Sequence, residues 1–540
     1  MRKLGWNKSG TRAMAVLMSV SLLSACTPAA SDKPSEAAEQ TKDAKKMTSM
    51  KIFTEMGSWA SQSTKNYGEN LVFQEMEKKT GVKVDWIHPP SGQGKEQFNL
   101  MIASNDLPDV IVYDWFNVPG GAKKYVDDGV ILDLTPYIEK QAPNFTKLMN
   151  ENPEAKKQTM DDASKYYCLP MLRLQDSLRV TDGPQIRVDW LDKLGLKKPT
   201  TIDEWYNVLK AIKTGDPNGN GKQDEWPMTG QKFTGGNGIG NLAAAWGISY
   251  DFYIDSGQVK YGPMNPKFKE VLTFINKLFA EGLIDPDYML NNREKQDSKV
   301  ISAVSGALFA VQPSNFMRTM AESGRDPKFQ MSGISWPVGP AGKAYSLSSS
   351  YTYQAVSPCV AVTKKAKNPE EIISWLDYAY GKEGNLLFNL GVENQTYTMK
   401  DGKAINTDLI EKNKDGLSSS AALGKYTMAL NGWGMSQDIL YHQQLMSQYG
   451  YPAAENWRTS DTSLILPRLS FTAEETQVVA RSKTDVDTYA LEMFDKFTTG
   501  KEPLANYDKF MQRLKDMGID NLTKTYQAAY DRYQKRGNNK

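Results

Sequence analysis

The chain has 540 residues, enough for about three ordinary domains on length alone. Apolar residues make up 40% and charged residues 24%, with 65 Lys+Arg against 63 Asp+Glu; this describes a soluble folded protein and gives no electrostatic case for nucleic acid. Twelve Trp, 26 Tyr and 18 Phe supply ring surface, whereas two His and three Cys are too few for a zinc cluster or a disulfide scaffold.

The chain starts with Arg2, Lys3, Lys8 and Arg12 and no acid among them. An apolar run from Ala13 to Ser24 follows, too short for the roughly 20 residues that span a bilayer but of signal-peptide size. It ends in Leu23-Ser24-Ala25-Cys26, which resembles the bacterial lipobox. Residues 1–25 are therefore read as a signal peptide and Cys26 as the lipidated mature N-terminus. Removing the basic leader makes the remaining formal balance slightly acidic. From Thr27 to Lys46 there is no Val, Ile, Leu or aromatic residue, so this stretch cannot offset its chain entropy by burial. Residues 26–47 are assigned as lipidated Cys plus disordered tether. No second apolar run is long enough for a span, so the lipid is the only expected membrane anchor. Cys168 and Cys359 remain in the body, and the sequence leaves open whether they pair or stay as two thiols.

The body opens with a short strand at Met50–Thr54 and a helix at Glu69–Lys79 that Gly81 can terminate. Val82, Val84 and Trp86 alternate with polar residues as in a strand. Lys95–Ser104 reads as a helix and Asp109–Tyr113 as a buried strand. This βαβαβ order predicts a parallel sheet flanked by helices, with ligands at the carboxyl ends of its strands. Tyr113, Asp114 and Trp115 fall at that edge, and Trp59 falls in the loop after the first strand. Thr201 and Glu204 form a capping box before the stripe Ile202, Trp205, Val208, Leu209 and Ile212, and Thr472 with Glu475 forms another. Trp205 and Trp375 sit on helical stripes and are read as core.

After the helix of that stripe comes Asp216-Pro-Asn218-Gly-Asn220-Gly221-Lys222-Gln-Asp224-Glu225. Calcium takes six to eight hard oxygens on a tightly turning backbone. EF-hand positions 1, 3, 5, 7 and 9 correspond to Asp216, Asn218, Asn220, the Lys222 carbonyl and Asp224, with Gly221 at position 6. Position 12 is Pro227, and Glu225 is the substitute carboxylate. A polar Asn/Gly turn is the competing explanation. The expected role of the calcium is structural.

The stretch Arg187-Val-Asp189-Trp190, then Pro199-Thr-Thr-Ile-Asp-Glu-Trp205, then Asp216 to Pro227, resembles the extracellular solute-binding lipoproteins of bacterial carbohydrate ABC importers. The large Gram-positive and alginate-oligosaccharide binding type, with its calcium loop of the form DPxGNGxxDE, is the nearest match. Lys78-Lys-Thr-Gly-Val-Lys-Val, Leu107-Pro-Asp-Val-Ile, Phe471-Thr-Ala-Glu-Glu and Tyr526-Gln-Ala-Ala-Tyr-Asp-Arg agree, so the resemblance spans the body. It implies an α/β fold of the two-lobed periplasmic-binding-protein type (type II), each lobe a sheet flanked by helices, with the ligand cleft between them. The first lobe is assigned to 48–170 plus 345–385. The second takes 171–344 plus 386–540 and carries the calcium loop 216–227. Crossings are expected near 168–172, 339–350 and 380–390. The implied function is capture of an oligosaccharide by lobe closure and delivery to ABC permease subunits, by a monomer.

Sugar rings present C–H faces that lie on Trp and Tyr rings. The ligand candidates are Trp59, Tyr113, Trp115, Trp246, Trp336, Tyr351, Tyr353, Trp433 and Trp457, with core packing the competing explanation at each Trp. Arg187 and Glu455 are candidates to meet hydroxyls or an acidic sugar, with a surface or lobe-bridging ion pair as the competing explanation. A peptide-binding lipoprotein shares the lipobox, lobes and aromatics. A secreted glycan-active enzyme needs only two carboxylates. Yet His88 and His442 have no visible catalytic partner, no GxSxG, HExxH or Walker A sequence occurs, and Gly235–Gly240 has the wrong spacing for a dinucleotide loop. No catalytic residue is assigned.

Overall fold

The computed structural model describes residues 46–537 apart from 312, 325, 431 and 442–449. Cys26 with its leader and tether, and His442, lie outside the described residues. β1 (Ser49–Phe53) buries Met50 and Ile52 and exposes Ser49 and Lys51, the two-residue period of a strand. Helix α1 (Leu71–Thr80) starts two residues later than expected, because the Asn70 side chain accepts the Val72 N–H and takes the cap. Gly81 ends it at φ 72°, a conformation that costs an L side chain about a kilocalorie or more. β2 (Lys83–Ile87), α2 (Gly94–Ser104) and β3 (Val110–Tyr113) complete the βαβαβ unit, with β1 parallel to both neighbours.

The chain leaves through β4 (Leu169–Leu172) into β5 (Asp182–Arg187). A hairpin of β6 (Phe252–Asp255) and β7 (Gln258–Tyr261) follows, then β8 (Ala307–Val311) and β9 (Met331–Gly333). It returns as β10 (Ala355–Val362) and adds the hairpin β11 (Tyr397–Lys400) and β12 (Lys403–Asn406). One sheet runs β2-β1-β3-β10-β4 and the other β8-β5-β9. β10 is antiparallel to β3 and β4, so the first sheet is mixed where the local pattern predicted only parallel pairing.

Each sheet has its own core. Ile52, Val72, Leu172, Val360 and Ile373 pack together on one side, and Ile186, Trp205, Phe309, Phe494 and Leu522 on the other. Between the cores the chain passes at 173–179 and again at 352–354. Phe388, Met428, Trp433 and Met435 belong to the first core, so the chain stays with the first lobe through Ser436 and does not cross at 380–390. Leu172 N–H donates to the Met435 carbonyl, and Gln437 N–H to the Leu172 carbonyl, each at 2.8 Å. The helix Gly450–Trp457 then packs in the second core. The reason is physical: 386–435 carries scattered apolar residues whose destination only tertiary packing decides.

Both capping boxes form, at Thr201/Glu204 and Thr472/Glu475, and start the helices Ile202–Thr214 and Ala473–Thr499. Across the lobes, Asp162 accepts from Arg532 (2.7 Å) and Arg536 (2.8 Å) of the closing helical segment. Among the described residues no helix is long and apolar enough to cross a membrane.

Candidate functional site: the edge between the lobes and the 216–227 loop

The carboxyl ends of β1, β2 and β3 carry the segments 54–70, 88–93 and 114–120, the last of which meets Arg468 of the second lobe through Phe116. His88 fastens two of them. Its Nδ1 donates to the Thr54 carbonyl at 2.8 Å while Nε2 accepts the Tyr67 N–H at 3.2 Å. Both nitrogens are used by backbone, and burial holds the ring's pKa below the ordinary histidine range, so it is a neutral structural group. Gly57 N–H donates to the buried Tyr67 hydroxyl at 3.0 Å, fixing the loop that ends in half-buried Trp59.

Tyr113 ends β3 with its ring stacked on Phe98, centroids 3.9 Å apart. Next, the Asp114 carboxylate accepts from the Ser357 hydroxyl and, at 2.7 Å, from Asn117. Trp115 turns inward: it is 1% exposed and its Nε1 donates to the Ile111 carbonyl at 3.1 Å. Phe116 stays half-buried at the edge. Over it lies the Arg468 guanidinium, 4.6 Å from the Phe116 ring and 4.7 Å from the Tyr353 ring. Arg468 lies between Leu466 and Leu469, which pack on the second core, so this cation bridges the lobes. The facing edge of the second lobe begins at Asp182, whose carboxylate accepts from Ser350 at 2.8 Å. Burial raises its pKa above the usual carboxylate range. The glycine-rich turn at 235–240 is tied down by Asn241, whose amide donates to the carbonyls of Gly235, Gly236 and Gly238.

Of the sequence candidates, Trp59, Tyr113 and Tyr353 are half-buried; Tyr113 immediately precedes Asp114 and Tyr353 meets Arg468, while Trp59 borders Gly424 of the helix Ser419–Tyr426. The others are used elsewhere. Trp433 is 2% exposed and stacks on Phe73 in the first core. Trp246 is buried and bonds Glu270 at 3.1 Å. Buried Trp336 packs on Phe309 beside Tyr351, which is itself core. Trp457 is fully buried beneath Gly183, with Nε1 on the Pro184 carbonyl at 3.1 Å. Arg187 is 1% exposed between Trp190 and Phe329 and pairs with Asp189 and Asp326, leaving no guanidinium face for a ligand. Glu455 is exposed and pairs with Arg458 one helical turn on. Phe116, Asp114 and Arg468 are the edge residues that the ligand shortlist omits. Phe116 was signalled by its place after β3; Arg468 had no local signal. Two surface concavities, of 580 Å³ beside β7 and 390 Å³ beside Tyr380 and Gln437, contain none of these residues.

The 216–227 loop is held by its own backbone. Asp216, at φ 44°, accepts from the N–H groups of Gly219 (3.0 Å), Asn220 (3.0 Å) and Gly221 (2.9 Å). Gly219 and Gly221 adopt φ 74° and 76°, which lets the chain curl inside its own ligand-type oxygens. The side-chain amide oxygens of Asn218 and Asn220 accept from Asn220 N–H (2.9 Å) and Lys222 N–H (2.8 Å). The Asn220 amide donates to Asp224 at 3.1 Å, which holds that carboxyl below its usual range. Lys193 reaches the Pro217 carbonyl and Lys213 the Glu225 carbonyl, anchoring the loop to the two preceding helices. Glu225 is 0% exposed, and neither of its carboxylate oxygens has a hydrogen-bond partner. A buried, unpaired carboxylate costs several kilocalories unless a cation offsets it. The donors are carboxylates, amide oxygens and a carbonyl, so they fit a hard divalent ion; among the described residues no group of three or more His, Cys, Asp or Glu gathers as a metal cluster.

A two-lobed α/β body with a polar and aromatic edge between its lobes defines a binding protein of the periplasmic type. Residues 59–386 match the family of bacterial extracellular solute-binding proteins, and the chain belongs to it. It is 28% identical over 502 residues to the fructooligosaccharide ABC transporter substrate-binding protein FusA of Streptococcus pneumoniae, covering 87% of this chain and 88% of that one. It is also 28% identical over 424 residues to lipoprotein LipO of Bacillus subtilis, covering 77% and 79%. The solved structure of a FusA EF-hand mutant in complex with fructo-nystose shares the fold, with a TM-score of 0.66 at 23% identity over 90% of this chain and 99% of that one.

Proposed function

We propose that this protein is a lipid-anchored extracellular substrate-binding protein that captures an intact oligosaccharide by lobe closure and passes it to ABC permease subunits. The observation that carries the reading is the edge itself. Half-buried Trp59, Tyr113 and Tyr353 are the proposed stacking rings, with Asp114, Ser357 and Arg468 as the proposed polar partners, and sugars need both. The similarity to FusA over nearly the whole of both chains supports sugar over peptide. Contacts made from both lobes at once would favour the closed state by their differential affinity. His88, spent on backbone, has no role as an acid or base.

The 216–227 loop is read as a structural calcium site, with Asp216, Asn218, Asn220, the Lys222 carbonyl, Asp224 and Glu225 as ligands. Orphaned Glu225 supports it. When bound, the ion would neutralise that carboxylate and fasten the loop to the two helices beneath. Cys26 is read as the lipid attachment point, and the protein as a monomer.

A thermal-shift screen tests the proposal. The panel is neutral oligosaccharides, uronic-acid oligosaccharides and short peptides, in calcium buffer. A ligand at 100 times its Kd stabilises by about 2.7 kcal/mol, a clear rise in melting temperature. One glycan class should give that rise and be recovered uncut. A rise with peptides alone, or cleavage of the glycan, would overturn the reading.

A further inference from the structure

Cys168 and Cys359 are separated by 191 positions, yet their sulfurs lie 2.8 Å apart. Both are buried, in a small core with Phe53, Ile111, Trp115 and Ala361. Cys168 immediately precedes β4, through which the chain leaves the first lobe. Cys359 sits on β10, through which it comes back. Backbone pairing sets Leu169 opposite Val360 and breaks register between Val356 and Cys359, so Cys359 borders the irregular part of the strand pair and Cys168 lies just beyond its regular end. Cys359 is the cross-strand partner of Tyr113, and neither cysteine has a part in the 216–227 loop.

We infer that the mature protein carries a Cys168–Cys359 disulfide that ties the outgoing and returning strands together. A sulfur–sulfur bond is about 2.05 Å long, so closing it from 2.8 Å takes less than an ångström of movement. The family is extracellular, and outside the cell such pairs persist oxidised. The oxidant is a disulfide of a small thiol or of a thiol oxidoreductase. One cysteine thiolate attacks it, forming a mixed disulfide and releasing one thiol. The second cysteine thiolate attacks the mixed disulfide, forming the Cys168–Cys359 bond and releasing the other thiol. Two S–H bonds are lost, one S–S bond is formed, and the oxidant is reduced to two thiols. In the folded protein, burial pushes the Cys168 thiol up, so the exchange belongs to folding, before β4 and β10 close over the sulfurs. The closed loop contains β5 to β9, the strands of the second lobe. The strands of the second lobe then leave and return at one cross-linked point, while its helices from Gly450 onward join it later in the chain.

The test uses the full-length protein isolated from the membranes of the cells that make it. It is quenched in acid, alkylated in denaturant, digested without reduction and read by mass spectrometry. The expected product is one linked peptide pair holding Cys168 and Cys359, about 2 Da lighter than the two thiol peptides together, with neither cysteine alkylated. Alkylation of both cysteines, or a mixed disulfide with a small thiol on either, would overturn the inference. A second reading guards the structural role. Reduction in mild denaturant followed by refolding should lower the melting temperature by several degrees, to that of C168S/C359S, and reoxidation should restore it. Equal melting of the oxidised and reduced wild-type protein would contradict the tie.

Discussion

The 216–227 loop and the edge between the lobes are built in opposite ways. The loop takes its donors from ten consecutive residues, Asp216 to Glu225, and its own N–H groups orient them. The proposed site draws Trp59, Tyr113, Phe116, Tyr353 and Arg468 from segments far apart in the chain, and its Arg468 contacts exist only while both lobes hold their places. As the proposed calcium site the loop would depend on its ion, and the dispersed site depends on the packing beneath it. Removing the ion and disturbing the packing should therefore give separable effects.

The largest effects should come from the indoles buried in the two cores. Trp433→Ala and Trp457→Ala each remove a buried indole from one lobe's core and should lower unfolding stability by about 3–5 kcal/mol. Half-buried Trp59→Ala should lower it by less than about 1 kcal/mol in the same urea titration. An equal loss at Trp59 would make the edge core, not a surface.

Calcium removal comes next. Chelation should lower stability by about 2.7 kcal/mol relative to calcium at 100 times its Kd. Glu225→Gln should erase most of that difference. In chelator the variant should melt no lower than the wild type, because a buried amide costs less than a buried unpaired carboxylate. Persistence of the full calcium effect in Glu225→Gln would sink the ligand assignment.

Arg468→Ala should cost about 1 kcal/mol, the size of a partly desolvated cation–π contact, and should leave the calcium response unchanged. The smallest effect should be at Asp182. Burial raises its folded pKa above its unfolded one, so the carboxylate weakens the fold at pH values above the folded pKa. Falling pH relieves that penalty, which is gone below the unfolded pKa. Asp182→Asn should therefore stabilise the protein at neutral pH and show no gain in acid, as read by melting temperature against pH.

The same contrast explains what could be read from the sequence. The βαβαβ start, both capping boxes and the 216–227 turn rest on residues within a few positions of one another, and all appear where the pattern put them. Glu225, named as the substitute for Pro227 at position 12, is a buried carboxylate without a hydrogen-bond partner. The edge was only partly legible. Strand ends pointed to Tyr113 and Asp114, but the direction of Trp115 depends on a core shared with β10 residues more than 200 positions later. Trp433, between two glycines, looked like a loop ring; Phe73 and Trp86 cover it. The third crossing was misplaced for the same reason, since nothing local marks 386–435 as first-lobe material. Arg468 matters through Phe116 and Tyr353, neither of which is near it in sequence.

Small-angle scattering on the protein lacking residues 1–46, with and without the glycan that raises its melting temperature, tests the central claim most directly. The account predicts a smaller radius of gyration with glycan, recovery of the glycan uncut, and an affinity about tenfold weaker in Trp59→Ala. Tight binding with an unchanged radius of gyration and full affinity in Trp59→Ala would contradict capture by closure at this edge.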